Sequence, residues 1–135
     1  MPQPQSNFTL PKKEKLKSKK VFEQLFLEGS SIKAFPIKLI YTKVDFDDGT
    51  NIKVGVVAPK KKFKSAVKRN RIKRLMREAY RLNKHIVFNK IEGNFAFLFL
   101  YLGNVMPDYN EVDGAINKLL EAFLKKESHE KVKNK

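Results

Sequence analysis

Lys68-Arg69-Asn70-Arg71-Ile72-Lys73-Arg74-Leu75-Met76-Arg77-Glu78-Ala79-Tyr80-Arg81 reads as one helix with two unlike faces. With Ile72 at zero and about 100° per residue, Leu75, Met76 and Ala79 fall within about 60° of it. Asn70, Lys73, Arg74, Arg77 and Arg81 fall between about 100° and 200°, on the opposite side. One face can pack on a core, and the other presents a row of cations and an amide. Residues 60–81 hold eleven Lys or Arg against one acid, Glu78, a segment charge of +10 within a chain total of +15. Like charges at i, i+4 cost about 0.2–0.5 kcal/mol per pair, and a solvated helix would relieve them with Glu. The spacing therefore predicts an external polyanion, nucleic acid first among them.

Upstream of this helix, residues 37–44 and 52–58 alternate like strands. Ile37, Leu39 and Tyr41 share one face of the first; Ile52, Val54, Val56 and Ala58 share one face of the second. Between them, Asp45-Phe46-Asp47-Asp48-Gly49-Thr50 is expected to be a hairpin loop. Residues 59–64 form a basic loop leading into the helix. Further upstream, 12–20 is a second basic cluster with six Lys and one Glu. It runs into Val21-Phe22-Glu23-Gln24-Leu25-Phe26-Leu27-Glu28-Gly29, a short helix capped by Gly29. Downstream, residues 95–102 have no polar face and predict a strand covered on both sides. Apolar positions 109, 112, 116, 119, 120, 123 and 124 mark a closing amphipathic helix.

The order is α-β-β-α-β-α, an α+β two-layer sandwich in which one mixed sheet packs with helices. At 135 residues the chain is the size of one domain. The expected organisation is a flexible tail over 1–10, one RNA-binding domain over 11–127 and a flexible tail over 128–135. There is no cysteine, hence no disulfide, thiolate nucleophile or cysteine-held zinc, and His85 and His129 are the only histidines. The opening residues lack the apolar core of a secretory signal. The longest apolar run is about eight residues, far short of the roughly 20 a spanning helix needs. A cytoplasmic protein without membrane contact is expected.

Enzymatic motifs fail one by one. Asp45, Asp47 and Asp48 resemble part of a calcium loop, but the glycine falls one place early and Val56 stands where the bidentate Glu belongs. No Gly-rich phosphate loop, HExxH pair or zinc-ligand spacing occurs. Ser30, Ser31 and Ser65 have no nearby His, and His85 ends the basic helix. No catalytic residue and no protein-held metal or cofactor is expected. Phe22, Phe26 and Tyr41 would be core residues in most proteins; Phe22 and Tyr41 also suit stacking platforms for bases in a groove beside the first helix, and Phe26 suits either groove or core.

Val54-Gly55-Val56-Val57-Ala58-Pro59-Lys60-Lys61 followed by Ala66-Val67-Lys68-Arg69-Asn70-Arg71-Ile72-Lys73-Arg74-Leu75-Met76-Arg77-Glu78-Ala79-Tyr80 resembles the bacterial ribonuclease P protein subunit. The signature is the Arg-Asn-Arg helix after a strand and a basic loop, and residues 21–29 are similar to the family's first helix. Pro59 stands where many members have Ser, and Phe63-Lys64-Ser65 where many have Gly. The resemblance implies a holoenzyme in which an RNA subunit, with Mg2+, cuts precursor tRNA and leaves a 5′-phosphate. It implies that Lys60, Lys61, Lys68, Arg69, Asn70, Arg71, Lys73, Arg74, Arg77 and Arg81 face the RNA subunit. It also implies a cleft between the first helix and the sheet for the precursor's 5′ leader, formed by Lys12, Lys13, Lys15, Lys19, Phe22, Phe26, Leu39 and Tyr41. A left-handed β-α-β crossover, against the usual hand, and a monomeric protein, one per RNA, complete what it implies. A ribosomal-type RNA-binding protein is the alternative, and a DNA-reading helix a weaker third.

Overall fold

The computed structural model describes residues 10–88 and 90–133, with side chains to residue 127. Its order is α1 (Lys19–Glu28), β1 (Ser30–Ala34), β2 (Ile37–Lys43), β3 (Ile52–Val57), α2 (Ala66–Asn83), β4 (Phe95–Tyr101) and α3 (Tyr109–Lys133), with single 3-10 turns at Lys12–Glu14 and Lys84–Ile86. The four strands form one mixed sheet in the order β1-β2-β4-β3. β1 and β4 pair antiparallel with β2, and β3 pairs parallel with β4. The α+β class expected from the sequence is thus the one observed, with one strand more.

Two expectations of connectivity change. β1 was not foreseen, because Ser30-Ser31-Ile32-Lys33-Ala34 has only Ile32 and Ala34 turned inward on an open edge. The loop after β2 is not a hairpin: β4 lies between β2 and β3 and bonds to both. Val44 N–H donates to Asn94 O at 2.9 Å and Phe95 N–H to Asn51 O at 2.9 Å, so both ends of that loop are tied to the start of β4. Central placement on two covered faces explains the unbroken apolar run of β4.

The sheet has a core on each face. Ile37, Leu39, Tyr41, Ile52, Val54, Phe95, Phe97, Phe99 and Tyr101 join residues of α2 and α3 in the larger one. Ile40, Ala96 and Leu98 join Leu16 and Leu25 in the smaller one under α1. The odd and even residues of β2 and β4 therefore serve different helices, as the two-residue period of a strand requires. Leu10, placed by sequence in the N-terminal tail, is buried at 3% exposure; residues 1–9 of that tail lie outside the described residues. α3 runs to Lys133, so the expected domain boundary at 127 falls inside this helix. Among the described residues no helix is long and apolar enough to cross a membrane.

Candidate nucleic-acid interface

Ser65 begins α2 by accepting from the Lys68 N–H at 3.3 Å. Ile72, Met76, Ala79, Tyr80 and Asn83 face inward. Asn83 clamps the helix to α3, donating to Asp113 at 2.7 Å and accepting from Asn117 at 3.1 Å. Lys68, Asn70, Arg71 and Arg74 are exposed, and Lys73, Arg77 and Arg81 are half-buried beside them. Burial first, and then the charge of Arg74, lower the proton affinity of Arg77. Glu78 is the one acid in the row and pairs with Arg81 at 3.6 Å.

Arg69 differs from its neighbours. Its Nη1 donates to Phe63 O at 2.7 Å and Lys64 O at 3.0 Å, tying the basic loop to the helix. At about 60° from Ile72 on the helical wheel, Arg69 stands outside the cationic arc, a signal available in the sequence. The loop itself is a turn in which Pro59 O accepts from the Lys62 and Phe63 N–H groups at 3.2 Å each. Phe63 is buried, its ring 5.9 Å from that of Tyr101, and Lys62 Nζ reaches Leu102 O at 2.7 Å. Lys60 and Lys61 remain exposed.

The residues expected in a single cleft lie in three places. Leu39 and Tyr41 are 0% and 5% exposed in the core beneath α2 and α3, on the far face of the sheet from Phe22. Tyr41 makes an edge contact with Phe123 at 4.9 Å. The sequence supplied the alternation of β2 but not which face α1 covers. Lys12 and Lys15 line a groove of about 400 Å³ on the Val21 flank of α1, with Phe46 and Lys53. Lys13 and Lys19 are exposed. Phe22 and Phe26 occupy the other flank.

The register shows what lies beneath that flank. Ser31, Ile40, Leu98 and Gly55 form one row across the sheet. Leu25 and Phe22 pack with Ile40 and Leu98, and a Cβ on Gly55 would stand 2.7 Å from Phe22 Cε1 and Cζ. Glycine leaves the room in which that ring sits. The next row is Lys33, Lys38, Leu100 and Val57. Lys38, Leu100 and Val57 are each half-buried, and Phe26, on the adjoining flank of α1, is 58% exposed. The row leads to the end of β3 from which the basic loop departs. The sequence alone did not show Lys33, Lys38, Val57 and Leu100 as one row, because only pairing across strands brings them together.

A family model described as Ribonuclease P matches residues 10–124. The chain is 33% identical over 118 residues to the ribonuclease P protein component of Porphyromonas gingivalis, covering 85% of this chain and 86% of that protein. It is likewise 33% identical over 127 residues to the ribonuclease P protein component of Chlorobaculum tepidum, covering 85% of this chain and 82% of that one. Its fold is similar to the ribonuclease P protein of Staphylococcus aureus, with a TM-score of 0.66 at 16% identity over 82% of this chain and 94% of that one. The Thermotoga maritima protein gives 0.65 at 24% identity over 81% and 96%. The chain is therefore a member of the ribonuclease P protein family, and so an RNA-binding subunit of a tRNA-processing ribonucleoprotein.

Proposed function

We propose that this chain holds two stretches of RNA on opposite faces of its sheet. The catalytic RNA of ribonuclease P lies on the cationic face of α2, and the precursor's 5′ leader lies along the open row beside α1. The observation that carries the second half is the pair Lys33 and Lys38, directly opposed on β1 and β2 at the end of that row. Like charges directly opposite on a sheet destabilise it, so an anion between them removes a cost already present. Leu100, Val57 and the exposed ring of Phe26 offer bases an apolar floor and a stacking edge. An extended strand with phosphates outside and bases inward fits that combination.

Magnesium held by the RNA subunit would supply the activation of water for cleavage of the precursor, which would leave a 5′-phosphate. Among the described residues no three His, Asp or Glu side chains form a group that could hold a metal ion. The chain contributes binding, orientation and charge screening: one protein beside one RNA, in the cytoplasm. The family resemblance and the excess of cations over the single acid Glu78 on α2 both support this division.

The test is reconstitution at low magnesium. Protein added to a bacterial ribonuclease P RNA should raise cleavage of precursor tRNA, and rigorously RNA-free protein should cleave nothing. Lys33→Ala/Lys38→Ala should weaken holoenzyme binding of precursor and leave mature tRNA unaffected. Equal losses for both tRNAs would remove the leader from this row.

A further inference from the structure

The segment in front of α1 reaches both faces of the sheet. Leu10, 3% exposed, belongs to the core beneath α2 and α3, whereas Leu16, 6% exposed, belongs to the core under α1. Between them the chain turns round the outer edge of β3. There Lys15 forms a parallel bridge to Val54, and Leu16 N–H donates to Val54 O at 2.9 Å. At the bend Glu14 is 6% exposed, and its two carboxylate oxygens accept from Lys84 Nζ at 2.8 and 3.1 Å. Lys84 follows the last residue of α2, and its ammonium lies 5.0 Å from the centre of the Phe88 ring. The Glu14 charge also reaches the buried Tyr80 hydroxyl of α2, whose proton is held more tightly by burial first and by that charge second.

One short strap thus joins the helix that carries the cationic row to the helix that carries Phe22. An ion pair with one buried partner and one half-buried one is a poor way to gain stability, since the buried charge must be stripped of water. What it supplies here is a single defined position. The far end of α1 is fixed independently: a Cβ on Gly29 would meet Leu25 O at 2.5 Å and Ile40 Cγ2 at 2.7 Å, so helix and strand touch there. Phe22 lies near the other end, four residues after Ser18, which begins the helix. That end is held by the seat of Phe22 over Gly55 and by the strap, which enters it directly.

We propose that Glu14 and Lys84 are positioning residues for leader binding: their ion pair ties the strap to the end of α2 and so helps set the N-terminal end of α1, and with it Phe22, against the open row. This rests on the reading of that row as the leader site. The pair touches no leader atom and acts through the strap.

The experiment compares holoenzymes reconstituted with Glu14→Gln, with Lys84→Gln, with the reversed pair Glu14→Lys/Lys84→Glu, and with Phe22→Ala as reference. Affinities for precursor and for mature tRNA are measured beside protein melting and affinity for the catalytic RNA. Each single substitution should lower precursor-over-mature selectivity by about 2- to 30-fold, the range for residues that couple sites without touching the ligand. The reversed pair should regain it. Glu14→Gln keeps the shape of the side chain, so it carries the test even where Lys84→Gln does not fold. Full selectivity in Glu14→Gln, with Phe22→Ala unselective, would overturn the latch and leave the leader site standing. Full selectivity in Phe22→Ala would remove both.

Discussion

Gly55→Ala tests the seating of Phe22 without touching Phe22 itself. The added methyl would stand 2.7 Å from two ring carbons and 3.5 Å from Leu98 Cδ1. Carbon atoms rest about 3.5–4.0 Å apart, so the ring must retreat by about 1 Å. Overpacking typically costs about 1–3 kcal/mol, while Ala over Gly in a strand interior returns about 0.5–1 kcal/mol. Phe22 is half-buried and bordered by the open row, so it can move outward. The net loss of stability should therefore be small, about 0–2 kcal/mol. That outward movement enters the row where the leader is proposed to lie. Up to the value of one stacked base, about 1–3 kcal/mol, should disappear from precursor affinity, with mature tRNA unaffected. The assay is a double-mutant cycle on holoenzyme binding: wild type, Gly55→Ala, Phe22→Ala and both. Since the methyl acts only through the ring, Gly55→Ala should cost nothing further once the ring is gone. Equal penalties in the presence and absence of the ring would refute the reasoning.

Tyr41→Ala should behave as loss of a core ring: about 3–5 kcal/mol of stability, near 4 °C of melting temperature per kcal/mol at this size, and parallel losses for both tRNAs. Arg71→Ala and Arg74→Ala should each reduce the salt slope of catalytic-RNA binding by about 0.7–0.9; an unchanged slope in the double variant would place the RNA elsewhere. Arg69→Ala should instead raise the proteolytic sensitivity of residues 59–65, because its guanidinium holds two carbonyls of that loop. The Asp48 carboxyl is held well below the usual carboxylate range by the Thr50 hydroxyl, then by Lys53. Its folded-state affinity for protons is lowered, so the stability it confers is complete above about pH 4 and is lost as pH falls further. Asp48→Asn should flatten acid unfolding in that window, read by melting at stepped pH.

Most of the fold was legible because three helices and three strands carry full hydrophobic periods. The basic helix was read with its inward residues Ile72, Met76 and Ala79 correct. β1 was hidden by its composition, since an edge strand buries too little to impose an apolar pattern. The surface proposed for the leader was legible only along α1. Phe22 and Phe26 share a flank of α1, and Phe26, undecided from sequence, is open to solvent. Leu39 and Tyr41 were assigned to the wrong side because β2 has an apolar residue on each face: Ile40 looks at α1, and its two neighbours look away. Alternation fixes which residues share a face, and tertiary packing fixes what that face meets. Lys33 opposite Lys38 is likewise a fact of register, visible only once β1 is paired.

Insertion of β4 between β2 and β3 makes the sheet depend on its last strand. During synthesis β2 and β3 emerge first and have no bond to each other, so they wait for residues 95–101 before either is closed on that side. A chain halted before Phe95 has apolar strands with open edges, the condition under which nascent proteins aggregate. The whole net charge of +15 is already present in such a fragment, and it keeps copies of the chain apart by mutual repulsion. The cations read here as an RNA surface thus also act as a solubility device for the unfinished protein. Variants that neutralise α2 should then be harder to produce as well as weaker in binding.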